Sequence, residues 1–372
     1  MPPPVKTVWE LKEHTKGKHL VLRAYLEAWL PILGSWSGRI LFVDAFAGPG
    51  EYKDGEEGSP IIALNALIEH NSKSTITAEV IFFFIESEED RANYLTDMVD
   101  QIKPRIPSNA KFQVIHGTFD QTMTEVLNQI EEQNTNLAPC FVMIDPFGVK
   151  GMPMTIIQRI LNNPKSEVYI SFMYEGINRF RSTPEFEPHL NELFGCDNWK
   201  QGVGISDSHK RRKFFFDLYK DQLKKAGCKF VLSFDLYDDN RHIYTIFFGT
   251  QHLRGCDVMK QAIWKIAPTG NYRFVGTNSD QLTLSIVSPN FAPLKKALQD
   301  EFIGKGWVSI EDVLEFVISD KTDYHSGQVK TKVLKLMEDC KEPEIEVDKN
   351  SRKRRNTYPP KTILRFLDKE ES

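Results

Sequence analysis

The sequence predicts an α/β protein: a Rossmann-like, doubly wound, mostly parallel sheet with an antiparallel last strand, followed by a winged-helix-like α+β domain. Three observations predict it. Short apolar runs alternate with amphipathic helical stretches between residues 39 and 172, the order of a parallel sheet covered on both faces. Strand-like runs at 229–237 and 242–250 are separated only by Asp238-Asp239-Asn240-Arg241, so they form an antiparallel hairpin. From residue 291 the rhythm changes to three short helices and then a two-stranded ribbon.

A length of 372 residues is that of two domains or a little more, at about 150 residues each. Hydrophobic residues make up 41% and charged residues 26%, an ordinary globular balance. With 47 basic and 51 acidic residues the net charge is −4. That excludes a generic polycation that coats nucleic acid, though not a local basic patch. The cysteines Cys140, Cys196, Cys228, Cys256 and Cys340 form no Cys-x-x-Cys pair. They fit free thiols in a reducing compartment better than a disulfide framework or a zinc site, and no metal is expected. Met1 to Lys6 has no apolar signal core, and no apolar run approaches the roughly 18 residues of a membrane span. A soluble cytoplasmic protein is expected.

The elements follow in order. Residues 9–33 read as a helix, with Leu20, Leu22, Tyr25, Leu26, Trp29 and Leu30 at helical spacing and Pro31 near the end. It forms an N-terminal segment, 1–38, ahead of a sheet domain at 39–270. Arg39–Asp44 is the first strand. After a polar, glycine-rich loop, Ser59 is the N-cap and Pro60 the first turn of a helix reaching about His70. Strands at 80–85, 112–115, 140–144 and 168–172 then alternate with helices at 88–102, 120–133 and 153–161. Residues 176–206, with Pro184, Pro188, Gly195, Gly202 and Gly204, break the rhythm and read as an insertion over the sheet's edge. Lys213–Ala226 is a helix leading into the hairpin. A helix is predicted at 257–266 and short or irregular strands at 274–286. The C-terminal domain, 291–372, holds helices at 293–305, 310–319 and 326–339 and strands at 345–347 and 363–366. Its ribbon tip carries Arg352-Lys353-Arg354-Arg355.

Asp44-Ala45-Phe46-Ala47-Gly48-Pro49-Gly50 sits at the carboxyl end of the first strand, where open α/β sheets bind ligands. Glycines there let the backbone approach a bound molecule. No Gly-Lys-Ser/Thr follows, so this is not a P-loop. The absence of G-x-G-x-x-G argues against a pyrophosphate-bearing dinucleotide. The loop resembles motif I of class I S-adenosylmethionine-dependent methyltransferases, whose backbone lies against the aminoacyl and ribose parts of the cofactor. The resemblance implies S-adenosylmethionine as cofactor and Asp44, Phe46, Ala47, Gly48 and Gly50 as its contacts. Glu86 ends the second strand, where an acid accepts both ribose hydroxyls or is simply a solvated carboxylate. Asp120 follows the third strand and either binds the adenine amino group or caps the next helix.

Asp145-Pro146-Phe147-Gly148 ends the fourth strand. It resembles motif IV of methyltransferases that modify exocyclic amines, commonly Asp/Asn-Pro-Pro-aromatic. Phe147 replaces the second proline, a form similar to that of tRNA guanine N2-methyltransferases. The chemistry accounts for the residue types. An aromatic amine gives its lone pair to the ring and is a poor nucleophile. A carboxylate and a carbonyl that accept its N–H bonds draw the nitrogen towards sp³ and orient it for transfer. Asp145 and the Pro146 carbonyl are expected to do this, with Phe147 stacking on a base taken out of its helix.

Trp9, Lys18-His19, Leu22, Tyr25-Leu26 and Trp29, the loop from Asp44 through Tyr52, Gly58-Ser59-Pro60, Asp145 to Gly148, and Met259 to Lys265 together resemble the three-Cys-motif partner protein family, across most of residues 9–270. That resemblance implies a partner protein bearing three cysteines, of an iron–sulfur, radical type. The Lys18-His19, Gly-Glu-Tyr and Gly-Ser-Pro segments also resemble a 23S rRNA adenine N6-methyltransferase. Carried over, this makes Lys18 a ligand for the cofactor's carboxylate and His19 a pocket residue. An exposed lysine beside a packed histidine is the competing expectation.

His209-Lys210-Arg211-Arg212-Lys213 stands at the start of a helix, the wrong end for positive charge unless an anion is near. A phosphate backbone would supply one; a solvated turn is the alternative. Arg352, Lys353, Arg354 and Arg355 form a second patch, suited to a nucleic-acid backbone, a solvated hairpin tip or a protein interface. Tyr174, Asn178, Arg179 and Phe180 follow the fifth strand and are placed at the substrate entrance. Two functions are carried forward. One is a methyltransferase acting on an exocyclic amine of nucleic acid, RNA above DNA. The other is a non-catalytic, methyltransferase-like scaffold for the three-cysteine partner.

Overall fold

The computed structural model describes residues 7–238, 241–268, 273–276 and 289–368. The chain divides into two compact units, Met1–His252 with Arg273–Gln281 and Leu253–Tyr272 with Leu282–Ser372. No helix among the described residues is long and apolar enough to cross a membrane.

The first unit runs α1 (Glu13–Gly34), β1 (Arg39–Asp44), α2 (Ser59–Ile68), β2 (Glu79–Glu86), α3 (Glu89–Ile102), β3 (Ala110–His116), α4 (Phe119–Glu132), β4 (Cys140–Ile144), α5 (Met154–Leu161), β5 (Ser166–Phe172), α6 (Tyr174–Phe180), α7 (Glu187–Phe194), α8 (Ser208–Lys225), β6 (Phe230–Asp238) and β7 (Arg241–Thr250). After α9 (Leu253–Ile266), which belongs to the second unit, β8 (Arg273–Gly276) adds an eighth strand beside β6. The strand order is β3-β2-β1-β4-β5-β7-β6-β8. Strands β1 to β5 are parallel, and β7 lies antiparallel between β5 and β6. This is the doubly wound, mostly parallel sheet with an antiparallel late strand. Its order reverses between β1 and β4, which makes the carboxyl ends of those two strands the switch point.

Strand alternation builds two cores. Phe42 and Phe141 stack on one face, where Tyr25 and Trp29 of α1 meet Phe141 at 5.3 and 6.1 Å between ring centres. Leu41, Val43, Val142, Ile144, Ile170 and Phe172 join the core of the other face with residues of α4, α5, α7 and α8. The N-terminal segment is therefore a layer of the sheet domain rather than a piece apart. The expected insertion is also part of a layer: Leu190, Phe194 and Trp199 are buried in the second core, and α7 packs on α5 and α8. The N-cap of α2 is Gly58, and Ser59 is its first helical residue.

The second unit holds α9, α10 (Ala292–Phe302), β9 (Val308–Ser309), α11 (Ile310–Ile318), α12 (Ser326–Val329), a π-helical turn at Lys330–Leu334, α13 (Lys335–Asp339), β10 (Ile345–Val347) and β11 (Ile363–Phe366). The ribbon gains a third strand, in the antiparallel order β10-β11-β9. A capping box of Ser309 and Asp312 starts α11. The sheet-domain boundary expected at 270 moves back to 252. Lys260 of α9 donates to the Val317 and Ser319 carbonyls at 2.7 and 2.6 Å, and Trp264 donates to the Asp323 carbonyl at 2.7 Å. The two Lys260 bonds satisfy carbonyls at the end of α11, and with the Trp264 bond they tie α9 to the C-terminal helices. Of the expected strands at 274–286, Phe274 to Gly276 lie in β8 and the rest lies outside the described residues.

Candidate active site

A cleft of 160 Å³ opens at the switch point. Phe46 to Tyr52 from the loop after β1 form one wall, and Asp145, Pro146 and Phe147 after β4 form the opposite one. Lys18, His14 and Trp9 close it from the amino-terminal side, with Met173 and Tyr244 behind. Adjacent strands β1 and β4 thus bring together two loops about a hundred residues apart.

The loop is shaped by its glycines. Gly48 and Gly50 have φ of +65° and +89°, values that favour glycine. The Gly58 amide donates to the Gly50 carbonyl at 2.7 Å, and a Cβ on Gly58 would lie 2.8 Å from that carbonyl. Glu86 fixes the same loop from β2: its buried carboxylate accepts the amides of Gly48 at 2.8 Å and Glu88 at 2.9 Å. It is therefore not the solvated strand-end acid of the competing expectation.

Asp44 is fully buried. Its Oδ1 accepts the Phe46 amide at 3.3 Å, and its Oδ2 has no hydrogen-bond donor. Burial pushes the carboxyl up to about 7, against the pull of Ser59, the Phe46 amide and Lys18. Asp145 behaves oppositely. Burial opposes its ionisation, but the paired Lys18 ammonium, helped by Ser171 and His19, holds the carboxyl below its ordinary value. Lys18 is buried and also lies 5.7 Å from the centre of the Tyr244 ring. His19 is buried, and burial with the neighbouring Lys18 pushes its imidazole down to about 3, so it is neutral. Its ring faces Tyr52 at 5.8 Å.

In the sequence Trp9 stands only among the residues of the family resemblance, with no site role, yet it is central in the cleft. Its ring meets Phe147 at 5.6 Å and Tyr52 at 5.9 Å, both edge-on. The Arg91 guanidinium lies 5.2 Å from the Trp9 ring centre and 5.9 Å from that of Phe147. The Trp9 indole is also 3.5 Å from where a Gly48 Cβ would stand. Tyr244 carries no local motif; only the antiparallel register of β7 against β5 brings it here. Asp120 neither lines the cleft nor caps. It lies in the first turn of α4, whose N-cap is Thr118, and there its charge suits the helix dipole.

The basic start of α8 is largely neutralised by its own surroundings. Asp207 caps the helix by accepting the Lys210 amide at 2.7 Å. Arg211 turns inward to the carbonyls of Ile205 and Ser206 and to Asn178 Oδ1, at 2.5, 3.1 and 3.0 Å. Arg212 pairs with Asp235 at 3.2 Å, and Lys213 with Asp217 at 2.5 Å. Asp235 is opposite Thr245, which is opposite Phe172 at the carboxyl end of β5. The patch therefore lies along the same sheet edge as the cleft. Tyr174 is buried and Phe180 is stacked on Phe186 at 3.9 Å, so of this region only Met173 reaches the cleft.

In the second unit, Arg352 pairs with Glu338, both nearly buried, and Arg355 donates to the Glu338 carbonyl at 3.2 Å and pairs with Asp339 at 3.3 Å. Lys353 and Arg354 are exposed.

No family model and no curated protein matches the chain. Among solved structures it is similar to protein LPL1258 from Legionella pneumophila, at 12% identity over 62% of this chain and 84% of that one, with a TM-score of 0.37. It is similar to the O-methyltransferase TomG from Streptomyces achromogenes in complex with SAM, at 13% identity over 66% and 92%, TM-score 0.34. An O-methyltransferase from Bacillus cereus in complex with SAH shows 11% identity over 63% and 80%, TM-score 0.31. At these scores the likeness carries no argument, and the fold rests on the strand order of this chain.

Proposed function

We propose that the chain is an S-adenosylmethionine-dependent methyltransferase that acts on an exocyclic amine of a nucleic-acid base, RNA above DNA. The observation that carries this reading is the facing pair of loops, Phe46 to Tyr52 and Asp145 to Phe147, across one cleft at the switch point. The residues fit the cofactor. The unpartnered, buried Oδ2 of Asp44 is an acceptor for a cationic amino-acid end, and the positive-φ glycines leave the loop backbone open to close approach. The cleft, at 160 Å³, is smaller than the roughly 300 Å³ or more of typical ligand pockets.

When bound, S-adenosylmethionine supplies an electrophilic methyl group on sulfonium sulfur. Asp145, kept ionised by Lys18, accepts an N–H of the target amine, and the Pro146 carbonyl accepts the other. Phe147 offers a ring face to the base. In this reading Lys18 acts through Asp145, with which it is paired, rather than towards the cofactor's carboxylate. Lys210, exposed along the same edge, supports a polyanionic substrate, whereas Arg212 and Lys213 are already paired with Asp235 and Asp217. Arg211 does not contribute either, because its donors are already used.

One observation favours a second reading. Lys18 already occupies the carboxylate that would hold the amine, as in a scaffold whose site no longer turns over. Such a scaffold would serve the partner of the three-Cys-motif family. Calorimetric titration with S-adenosylmethionine separates the two. Saturable binding by the wild type, weakened in Asp44→Asn, supports the enzyme and justifies screening RNA and DNA as acceptors. A folded protein that gives no binding supports the scaffold.

A further inference from the structure

We propose that the second unit docks the phosphate backbone of a nucleic-acid helix on one surface, formed by the exposed side of the 326–339 helix and the tip of the β10–β11 ribbon. This surface is built from second-unit residues alone and stands apart from the methyl-transfer reading.

The helix is amphipathic. Val329, Val333, Leu334 and Met337 are buried, whereas Thr331, Lys332, Lys335 and Leu336 are exposed, Leu336 at 64%. Its middle turn, Lys330–Leu334, is π-helical, a departure that is rare and concentrates at functional sites. Charge distinguishes this side from α10 and β11, although Lys341, Lys349 and Lys361 are also exposed without an acidic partner among the described residues. Lys295, Lys296, Lys305 and Arg365 each pair with an acid at 2.6 to 2.9 Å. Among the described residues, Lys330, Lys332, Lys335, Lys353 and Arg354 have no acidic partner. A lone solvated lysine is ordinary, but five unpaired cations on a helix and the ribbon tip bound to it create a local positive field that favours a polyanion.

The tip is held in place for this. Glu338 of α13 accepts Arg352 Nη1 and the Tyr358 hydroxyl, each at 2.7 Å. Asp339 accepts Asn356 at 2.6 Å and pairs with Arg355. The ribbon is thus bolted to the end of the helix, and Lys353 and Arg354 project from a fixed turn. Of the four basic tip residues, two anchor and two are available.

The test uses the full chain and fluorescence anisotropy with two labelled probes, a DNA duplex of about 20 base pairs and an RNA hairpin, across a salt series. The variants are Lys332→Glu/Lys335→Glu and Lys353→Glu/Arg354→Glu, with Lys296→Glu on α10 as control. Thermal melting checks that each folds. Each double variant is expected to weaken binding about fivefold or more near 0.1 M salt and to flatten the salt slope by roughly one for each phosphate left without its cation. The control is expected to bind as the wild type does. The probe bound more tightly identifies the class of nucleic acid. Unchanged affinity in folded double variants, or no binding of either probe by the wild type, overturns the proposal. Calorimetric binding of S-adenosylmethionine is read on the same variants and is expected to be unchanged, so failure here is separate from failure of the cofactor site.

Discussion

The Lys18 ammonium is ion-paired with the Asp145 carboxylate across 127 residues of sequence. One partner lies on the first helix and the other follows the fourth strand. The pair joins the N-terminal segment to the reaction loop and decides the charge state of the carboxylate proposed to hold the amine.

Lys18→Met leaves Asp145 without its cation in a largely desolvated place. Breaking such a pair costs about 3–5 kcal/mol when both groups are fully buried. Asp145 retains 24% side-chain exposure, so about 2 kcal/mol is expected. The double variant Lys18→Met/Asp145→Asn is expected to recover part of that loss. Chemical denaturation of the four proteins in the cycle checks it. Strict additivity would mean that the two groups do not interact.

The Asp44 carboxyl, raised by burial to about 7, makes stability depend on pH. A raised acid binds its proton more tightly in the folded state. Its contribution is complete below the ordinary value of 3.8 and is lost as pH rises through about 7. Asp44→Asn is therefore expected to stabilise the ligand-free protein by about 2–4 kcal/mol at pH 8 and by little near pH 4. The same change is expected to weaken cofactor binding. Thermal melts across pH read the first effect and calorimetry the second. Equal gain at both pH values would remove Asp44 as the titrating group.

Gly58→Ala drives a methyl group into the Gly50 carbonyl. Backbone cannot yield as a side-chain tip can, so about 1–3 kcal/mol of destabilisation is expected, together with weaker cofactor binding. Gly204→Ala, with nothing within 4 Å, is the matched control and is expected to leave both unchanged.

Phe147→Ala removes the ring offered to the base. Base stacking on an aromatic contributes about 1–3 kcal/mol, so methyl transfer is expected to fall roughly 10- to 100-fold. Cofactor binding is expected to hold. A parallel loss of cofactor affinity would place Phe147 in the cofactor pocket through its contact with Trp9 instead.

Much of the first unit is legible in the sequence because its signals are local. Arg39–Asp44 and Cys140–Ile144 are apolar runs ended by turn residues, and the loop after each strand carries its own motif. The rest depends on tertiary neighbours. No spacing ties Lys18 to Asp145, turns Arg211 inward, or sets Tyr244 behind the cleft. The role of α9 depends on carbonyls supplied some sixty residues later by α11, which periodicity within α9 cannot register. Ser59 fits the N-cap rule, yet Gly58 is the N-cap and the helix starts one residue earlier than expected.

The most direct measurement of the central claim is transfer of a labelled methyl group from S-adenosylmethionine to purified RNA and DNA pools by the wild type and by Asp145→Asn. The predicted result is label in a base amine of nucleic acid, RNA above DNA, with the wild type and little with the variant. Equal labelling by both proteins, or none by a wild type that binds the cofactor, would contradict the account.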